Sequence, residues 1–279
     1  MKIGIIGYGV VGKAAAYTLT KKYDIIKYDK YQSLNSFRDL ISCNFIFIMV
    51  PTPFDCKKNE VDLSSVKESL DKLQKMQYKG IVIIKSTVPP GTCDSYADLY
   101  KFEIVFNPEF LRESTTPNED FENQDTVVLG TQSNSVFSKV KEMFSSVLVP
   151  HAQYYHTLAR EAEMIKTAQN TMLASRVALA NMIYDACESN KVDYALVKKI
   201  AFDNFDILGP HMAQVPGPDG ERGFGGKCLP KDIRAFSTVY NSDLLDSIIN
   251  YNDSLRDDLD KFLMNFESKN YPRVMRDSK

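Results

Sequence analysis

Cys228 sits in Gly223-Phe224-Gly225-Gly226-Lys227-Cys228-Leu229-Pro230-Lys231-Asp232, with glycines ahead of it, a lysine on each side and an aspartate four residues on. Glycines let a backbone approach a bound molecule closely. Neighbouring cations favour thiolate, the nucleophilic form of cysteine. A thiolate beside an acid/base residue is equipped for covalent catalysis. Near the other end stands Gly7-Tyr8-Gly9-Val10-Val11-Gly12, a G-x-G-x-x-G pattern between a strand-like and a helix-like run. That is the context a dinucleotide-binding turn requires. The first glycine makes the turn, the second admits a pyrophosphate to the backbone, and the third packs helix on strand. The helix start at Val10 and Val11 supplies N–H donors and positive dipole to the phosphates. Asp29 falls about 20 residues on, where a carboxylate binds the ribose 2′-hydroxyl. It favours NAD over NADP, whose 2′-phosphate it would repel, and Lys30 beside it pulls slightly the other way.

The elements that must position these residues are legible as alternating patterns. Lys2–Ile6, Asp24–Tyr28, Phe45–Val50, Ile81–Ile84, Glu103–Phe106 and Thr126–Leu129 read as strands. A helix follows the glycine turn to about Leu19, and Leu63–Met76 places Leu63, Val66, Leu70 and Leu73 on one face. Strands alternating with helices predict an α/β fold, a parallel sheet with helices on both faces. From Leu158 to Ser189 the chain is rich in Ala, Met and Leu without proline and predicts one long helix. A second helix is expected over Tyr194–Phe202, a loop over Gly209–Gly226, and helix again from Lys231 to about Glu267.

Composition narrows the class. The 279 residues are 44% hydrophobic and 25% charged, ordinary for a globular protein of one large or two smaller domains. A net charge of -2 with no basic block argues against nucleic acid as a partner. No segment reaches the roughly 18 apolar residues a membrane helix needs. The N-terminal apolar run is interrupted by Lys13 and three glycines, which argues against a secretory signal. The five cysteines, Cys43, Cys56, Cys93, Cys187 and Cys228, are widely spaced and contain no C-x-x-C, so neither a disulfide framework nor a metal site is expected. A reducing, cytoplasmic setting follows.

Four further stretches join the cysteine motif and the glycine turn. They are Val50-Pro51-Thr52-Pro53, Ser86-Thr87-Val88-Pro89-Pro90-Gly91-Thr92, Asn107-Pro108-Glu109-Phe110-Leu111-Arg112-Glu113, and Ala162-Glu163-Met164-Ile165-Lys166 with Asn170. In this order, from Met1 to about Asn252, they resemble the UDP-glucose/GDP-mannose dehydrogenase family. The resemblance implies a Rossmann-type NAD-binding domain over 1–156 and an all-helical central dimerisation domain over 157–279. It implies NAD as cofactor, a sugar nucleotide as substrate, and oxidation of its C6 alcohol to a carboxylate through a cysteine thiohemiacetal and thioester. By the same resemblance Cys228 is the nucleophile, and Asp232 orders or activates water near it. Glu113 serves thioester hydrolysis, with Thr87 and Glu109 nearby. Val50, Pro51, Thr52, Ser86, Thr87 and Glu113 face the nicotinamide side of the cofactor. Lys166 and Asn170, four apart and therefore on one helix face, can donate hydrogen bonds to an oxyanion. Glu109, Phe110, Leu111, Arg222, Phe224, Gly225 and Gly226 are the remaining substrate contacts, and His211 is a further candidate for phosphate.

Two departures stand beside the resemblance. Family members carry a third domain that completes the nucleotide side of the substrate site and is not matched here; a naturally short chain, a fragment and a partner that supplies the missing part are the three readings. They often have an arginine near Ile207 that reaches substrate across a dimer interface. A homodimer is still expected, because Leu244, Leu245, Ile248, Ile249, Leu255 and Leu259 need cover. UDP-glucose is the first substrate choice, with GDP-mannose and UDP-N-acetylhexosamine as alternatives. A two-electron hydroxyacid-type dehydrogenase and a degenerate NAD-binding subunit are the other readings. The Cys228 motif opposes the first and the intact catalytic positions oppose the second.

Overall fold

The computed structural model describes residues 1–55, 60–110, 116–203, 219–222, 224 and 242–256, and only the backbone of 54, 55, 171–178 and 180–182. Two compact units divide the chain, Met1–Leu173 and Ala174–Lys279.

The first unit is built on a seven-stranded sheet. Its strands are β1 (Lys2–Ile6), β2 (Asp24–Tyr28), β3 (Phe45–Ile48), β6 (Ile81–Ile84), β7 (Glu103–Phe106), β8 (Thr126–Gly130) and β9 (Gln153–Thr157), in the order β2-β1-β3-β6-β7-β8-β9. A two-stranded hairpin, β4 (Phe54–Asp55) and β5 (Glu60–Val61), stands apart from it. β3 and β6 are apolar along their whole length, and β1, β7 and β8 after their first residue, because both sheet faces are covered. In β3 the alternation is direct: Ile46 and Ile48 join one core, Phe45 and Phe47 the other. The first core takes side chains from α2 (Ser64–Lys75), α3 (Thr92–Leu99) and the start of α6 (Ala159–Ser189). The second takes them from α1 (Val10–Leu19), α4 (Pro117–Glu122) and α5 (Asn134–Ser145). Ala14, Ala15 and Ala16 let α1 lie close on the sheet. The expected α/β fold with helices on both faces is therefore found.

One pairing differs from the parallel sheet the sequence predicts. β8 runs antiparallel to β7, joined at Phe106 and Gly130, while β8 and β9 are parallel.

α6 is docked on the sheet by small residues. A Cβ on Gly130 would lie 2.8 Å from both Ala159 Cα and Ala162 Cβ, so only glycine permits this approach. Next on the helix, the fully buried Glu163 accepts from Gly91 N at 2.5 Å and Cys93 N at 2.8 Å. A carboxylate on the first N–H groups of α3 satisfies donors the helix cannot satisfy itself. Thus the helix carrying Lys166 is fixed to the sheet and to the loop after β6.

The long helix predicted from Leu158 is observed as Ala159–Ser189, its residues divided between the two units at Leu173. The predicted second helix is α7 (Tyr194–Lys198), continued by a π-helical turn over Lys199–Asp203. A further helix, α8 (Asp243–Ser254), lies within the stretch predicted helical from Lys231, the rest of which is outside the described residues. Leu245 is already buried within the chain, while Leu244 is 39% exposed.

Candidate active site

A crevice of about 730 Å³ opens beyond the carboxyl ends of the strands. In open α/β sheets ligands bind where the strand order reverses, here between β1 and β3. Successive strand ends each send a residue into it. Gly7 and Gly9 follow β1, Asp29 and Lys30 follow β2, Val50 to Thr52 follow β3, Lys85 to Thr87 follow β6, and Glu109 follows β7. Val10, Val11, Lys166 and Asn170 complete the wall from α1 and α6.

The glycine turn fits a dinucleotide on its own geometry. Gly7 has φ +94°, and a Cβ there would lie 2.5 Å from Met49 O, so both strain and space demand glycine. A Cβ on Gly12 would lie 2.1 Å from Gly7 O, while one on Gly9 would meet nothing within 4 Å. Gly9 therefore leaves open space on the cavity side. No side chain caps α1, which leaves its first N–H groups to a phosphate. Asp29 Oδ2 accepts from Tyr8 N at 2.8 Å and its Oδ1 from Tyr31 N at 2.9 Å. Those two bonds aim the carboxylate and leave acceptor capacity for ribose hydroxyls.

On the opposite side, Thr52 Oγ1 donates to Thr87 O at 2.7 Å and Ser86 Oγ donates to Val50 O at 2.7 Å. These bonds lock the loops after β3 and β6 into one wall. Beside them Lys166 Nζ lies 3.4 Å from Asn170 Oδ1 and 5.5 Å from the centre of the Phe110 ring. Burial lowers the Lys166 pKa from its ordinary value of 10.5; Glu109 opposes that shift and Lys85 adds to it.

Lys85, in the same crevice, was not singled out from the sequence. Its side chain is fully buried at the cavity floor, with Nζ 2.8 Å from Asn107 Oδ1 and 3.0 Å from Glu109 Oε2. Asn107 in turn donates to Val128 O at 2.9 Å. This network joins the ends of β6 and β7 to the middle of β8. Its signal was present: a lysine closing a fully apolar strand and followed by two small hydroxyl residues, Ser86 and Thr87.

The other singled-out residues fall in two groups. Arg222 and Phe224 are described in the second unit. There Asn252 Oδ1 accepts from Phe224 N at 2.6 Å, its Nδ2 donates to Phe224 O at 3.2 Å, and Arg256 donates to Arg222 O at 3.4 Å. Arg256 also pairs with Asp219 at 2.8 Å. Asn252 and Arg256, both buried, were not singled out from sequence. Cys228, Asp232, Leu111, Glu113, Gly225, Gly226, His211 and Ile207, with Leu259 and Cys56, lie outside the described residues. Cys43, Cys93 and Cys187 are buried free thiols.

A glycine turn, a uniform row of strand-end loops and a switch-point crevice define a dinucleotide-binding domain of Rossmann type. Comparison with known proteins makes this specific. Residues 26–148 match the NAD binding domain of the UDP-glucose/GDP-mannose dehydrogenase family, and residues 160–254 match its central domain. The chain belongs to the UDP-glucose/GDP-mannose dehydrogenase family, and NAD is the cofactor of its first domain.

A UDP-glucose 6-dehydrogenase of Rickettsia prowazekii is 32% identical over 235 residues, which are 80% of this chain and 50% of that protein. The UDP-glucose 6-dehydrogenase TuaD of Bacillus subtilis is 31% identical over 230 residues, 76% of this chain and 47% of its own. The chain thus spans about half the length of the curated relatives it matches. Among solved structures, a GDP-mannose dehydrogenase from Pseudomonas aeruginosa superposes with a TM-score of 0.77 at 22% identity, over 95% of this chain and 71% of that one. At that identity the likeness speaks for the fold.

Proposed function

We propose that this chain performs NAD-dependent four-electron oxidation of the C6 alcohol of UDP-glucose to UDP-glucuronate. The observation that carries this reading is the meeting of Lys166, Asn170, Glu109 and Thr87 in one crevice with the dinucleotide turn. The relatives named UDP-glucose 6-dehydrogenase support UDP-glucose as the substrate. In this reading residues 1–156 bind the cofactor and 157–279 carry the cysteine loop.

Gly7, Gly9, Val10, Val11 and Asp29 would hold the dinucleotide, and Val50 to Thr52 with Ser86 and Thr87 would line its nicotinamide side. When bound, NAD would supply the hydride acceptor for each of the two oxidations. Lys166 and Asn170 donate hydrogen bonds to the developing oxyanion, a fixed electrostatic stabilisation. The half-buried position of Lys166 makes that donor stronger than it would be in water. The Cys228 thiolate adds to the aldehyde carbon, and the oxygen takes up a proton, giving a thiohemiacetal. After its oxidation to a thioester, water attacks, the C–S bond breaks, and acid and thiolate are released. Asp232 and Glu113 direct that water, and Glu109, Phe110, Leu111, Arg222, Phe224, Gly225 and Gly226 contact the substrate. The chain works in the cytoplasm as a homodimer through the central helices; exposed Leu244 and half-buried Ile248 and Ile249 on α8 support that pairing.

Replacing Cys228 with serine tests the covalent step. Cys228→Ser is expected to retain the first oxidation and lose the second, leaving aldehyde and no uronate. An unchanged yield of uronate from this variant would sink the cysteine mechanism. Running GDP-mannose and UDP-N-acetylhexosamines beside UDP-glucose tests the sugar assignment.

A further inference from the structure

Asp29, Lys30, Glu68 and Lys72 line the cavity at the end of β2. Lys30 Nζ donates to Glu68 Oε2 at 3.0 Å, and Lys72 Nζ donates to Glu68 Oε1 at 2.7 Å. Glu68 therefore stands between two ammonium groups, one on the residue after Asp29 and one a turn further along α2. These hydrogen bonds, Lys72 first and then Lys30, hold the Glu68 carboxyl below the usual carboxylate range. All three side chains are substantially exposed, so the pairs add little to stability. Their consequence lies in what they present to a ligand.

A phosphomonoester carries about -1.5 to -2 charges at neutral pH. Beside the ribose-binding Asp29 it would need a cation to offset the repulsion. Lys30 is the nearest candidate in sequence, and Glu68 engages it. We propose that Glu68 is a cofactor-selectivity residue, which disfavours the 2′-phosphate of NADP by engaging Lys30, the cation next to Asp29 that would otherwise be free to meet it. The geometry resolves the opposition between Asp29 and Lys30 in the sequence: the lysine is turned to a helix partner. The proposal rests on the NAD-binding domain and not on the sugar oxidation.

Calorimetric titration of the purified chain with NAD and with NADP tests it, with the ratio of the two affinities as the readout. Glu68→Gln is expected to raise the NADP-to-NAD affinity ratio about tenfold, and adding Lys30→Met to that variant should reverse the gain. Glu142→Gln, which removes an exposed carboxylate on α5 away from this cavity, should leave the ratio unchanged. An unchanged ratio in Glu68→Gln overturns the proposal. So does a gain that persists without Lys30, or one that Glu142→Gln reproduces. A wild-type chain binding neither dinucleotide overturns it together with the cofactor assignment.

Discussion

Replacing Gly12 with alanine is expected to lower NAD affinity about a hundredfold and to destabilise the fold by about 1–3 kcal/mol. The new methyl would lie 2.1 Å from Gly7 O and 3.1 Å from Gly7 C, which are backbone atoms. Neither can rotate away as a side chain would. Either α1 lifts from β1 or the turn at Gly7 changes shape. The turn is already constrained, since Gly7 sits at φ +94° against Met49 O. Both escapes disturb the surface that receives the pyrophosphate. Gly9→Ala separates the two effects. Nothing protein-borne lies within 4 Å of its added Cβ, and its φ of -78° suits alanine. That variant should keep its stability and still lose dinucleotide affinity, because the methyl fills ligand space. Chemical denaturation and NAD titration of the two variants measure both quantities. Full NAD affinity in Gly9→Ala would contradict the placement of the cofactor.

Lys85→Met is expected to cost about 3–5 kcal/mol of folding stability, the range for breaking a buried pair from one side. Methionine fills similar volume, so the loss is electrostatic. Glu109 and the buried Asn107 each lose a partner, and little of either side chain is exposed to take water in its place. Domains are stable by only about 5–15 kcal/mol, so the change is large. The double variant Lys85→Met/Glu109→Gln should recover part of it, and a denaturant series on the four proteins gives the coupling directly. A second readout follows from Lys166. Its folded pKa lies below its unfolded value, so the unfolded chain holds that proton more tightly. Stability from this group therefore rises as pH climbs from the folded towards the unfolded pKa. Removing the Lys85 charge raises the folded pKa, and the rise with pH should shrink. A Lys85→Met protein as stable as wild type would mean that the pair is not an electrostatic lock.

The fold was largely legible because its interior strands are short apolar runs with turn residues at their ends. Lys2–Ile6, Asp24–Tyr28, Ile81–Ile84 and Glu103–Phe106 appear with the boundaries read from sequence. β9, Gln153-Tyr154-Tyr155-His156-Thr157, was not read as a strand. It forms a sheet edge and stays mostly exposed, so it has no apolar run to betray it. α3 and α5 were also missed. α3 follows Pro89-Pro90-Gly91 and owes its start to Glu163, 70 residues away from Cys93.

The same division holds in the crevice. Gly7, Gly9, Asp29, Thr87, Lys166 and Asn170 were found through local motifs, and the structure brings them together. Lys85 and Glu163 were not, because each matters through partners distant in sequence. A lysine at a strand end reads as a solvated terminus until Asn107 and Glu109 are seen to enclose it.

The central claim is that one site removes four electrons from one sugar nucleotide. The most direct measurement supplies the purified chain with excess NAD and limiting UDP-glucose, and counts NADH formed per sugar consumed. Two NADH per sugar, with uronate as product, is the expected result. One NADH per sugar, or none from a chain that binds NAD, would contradict it.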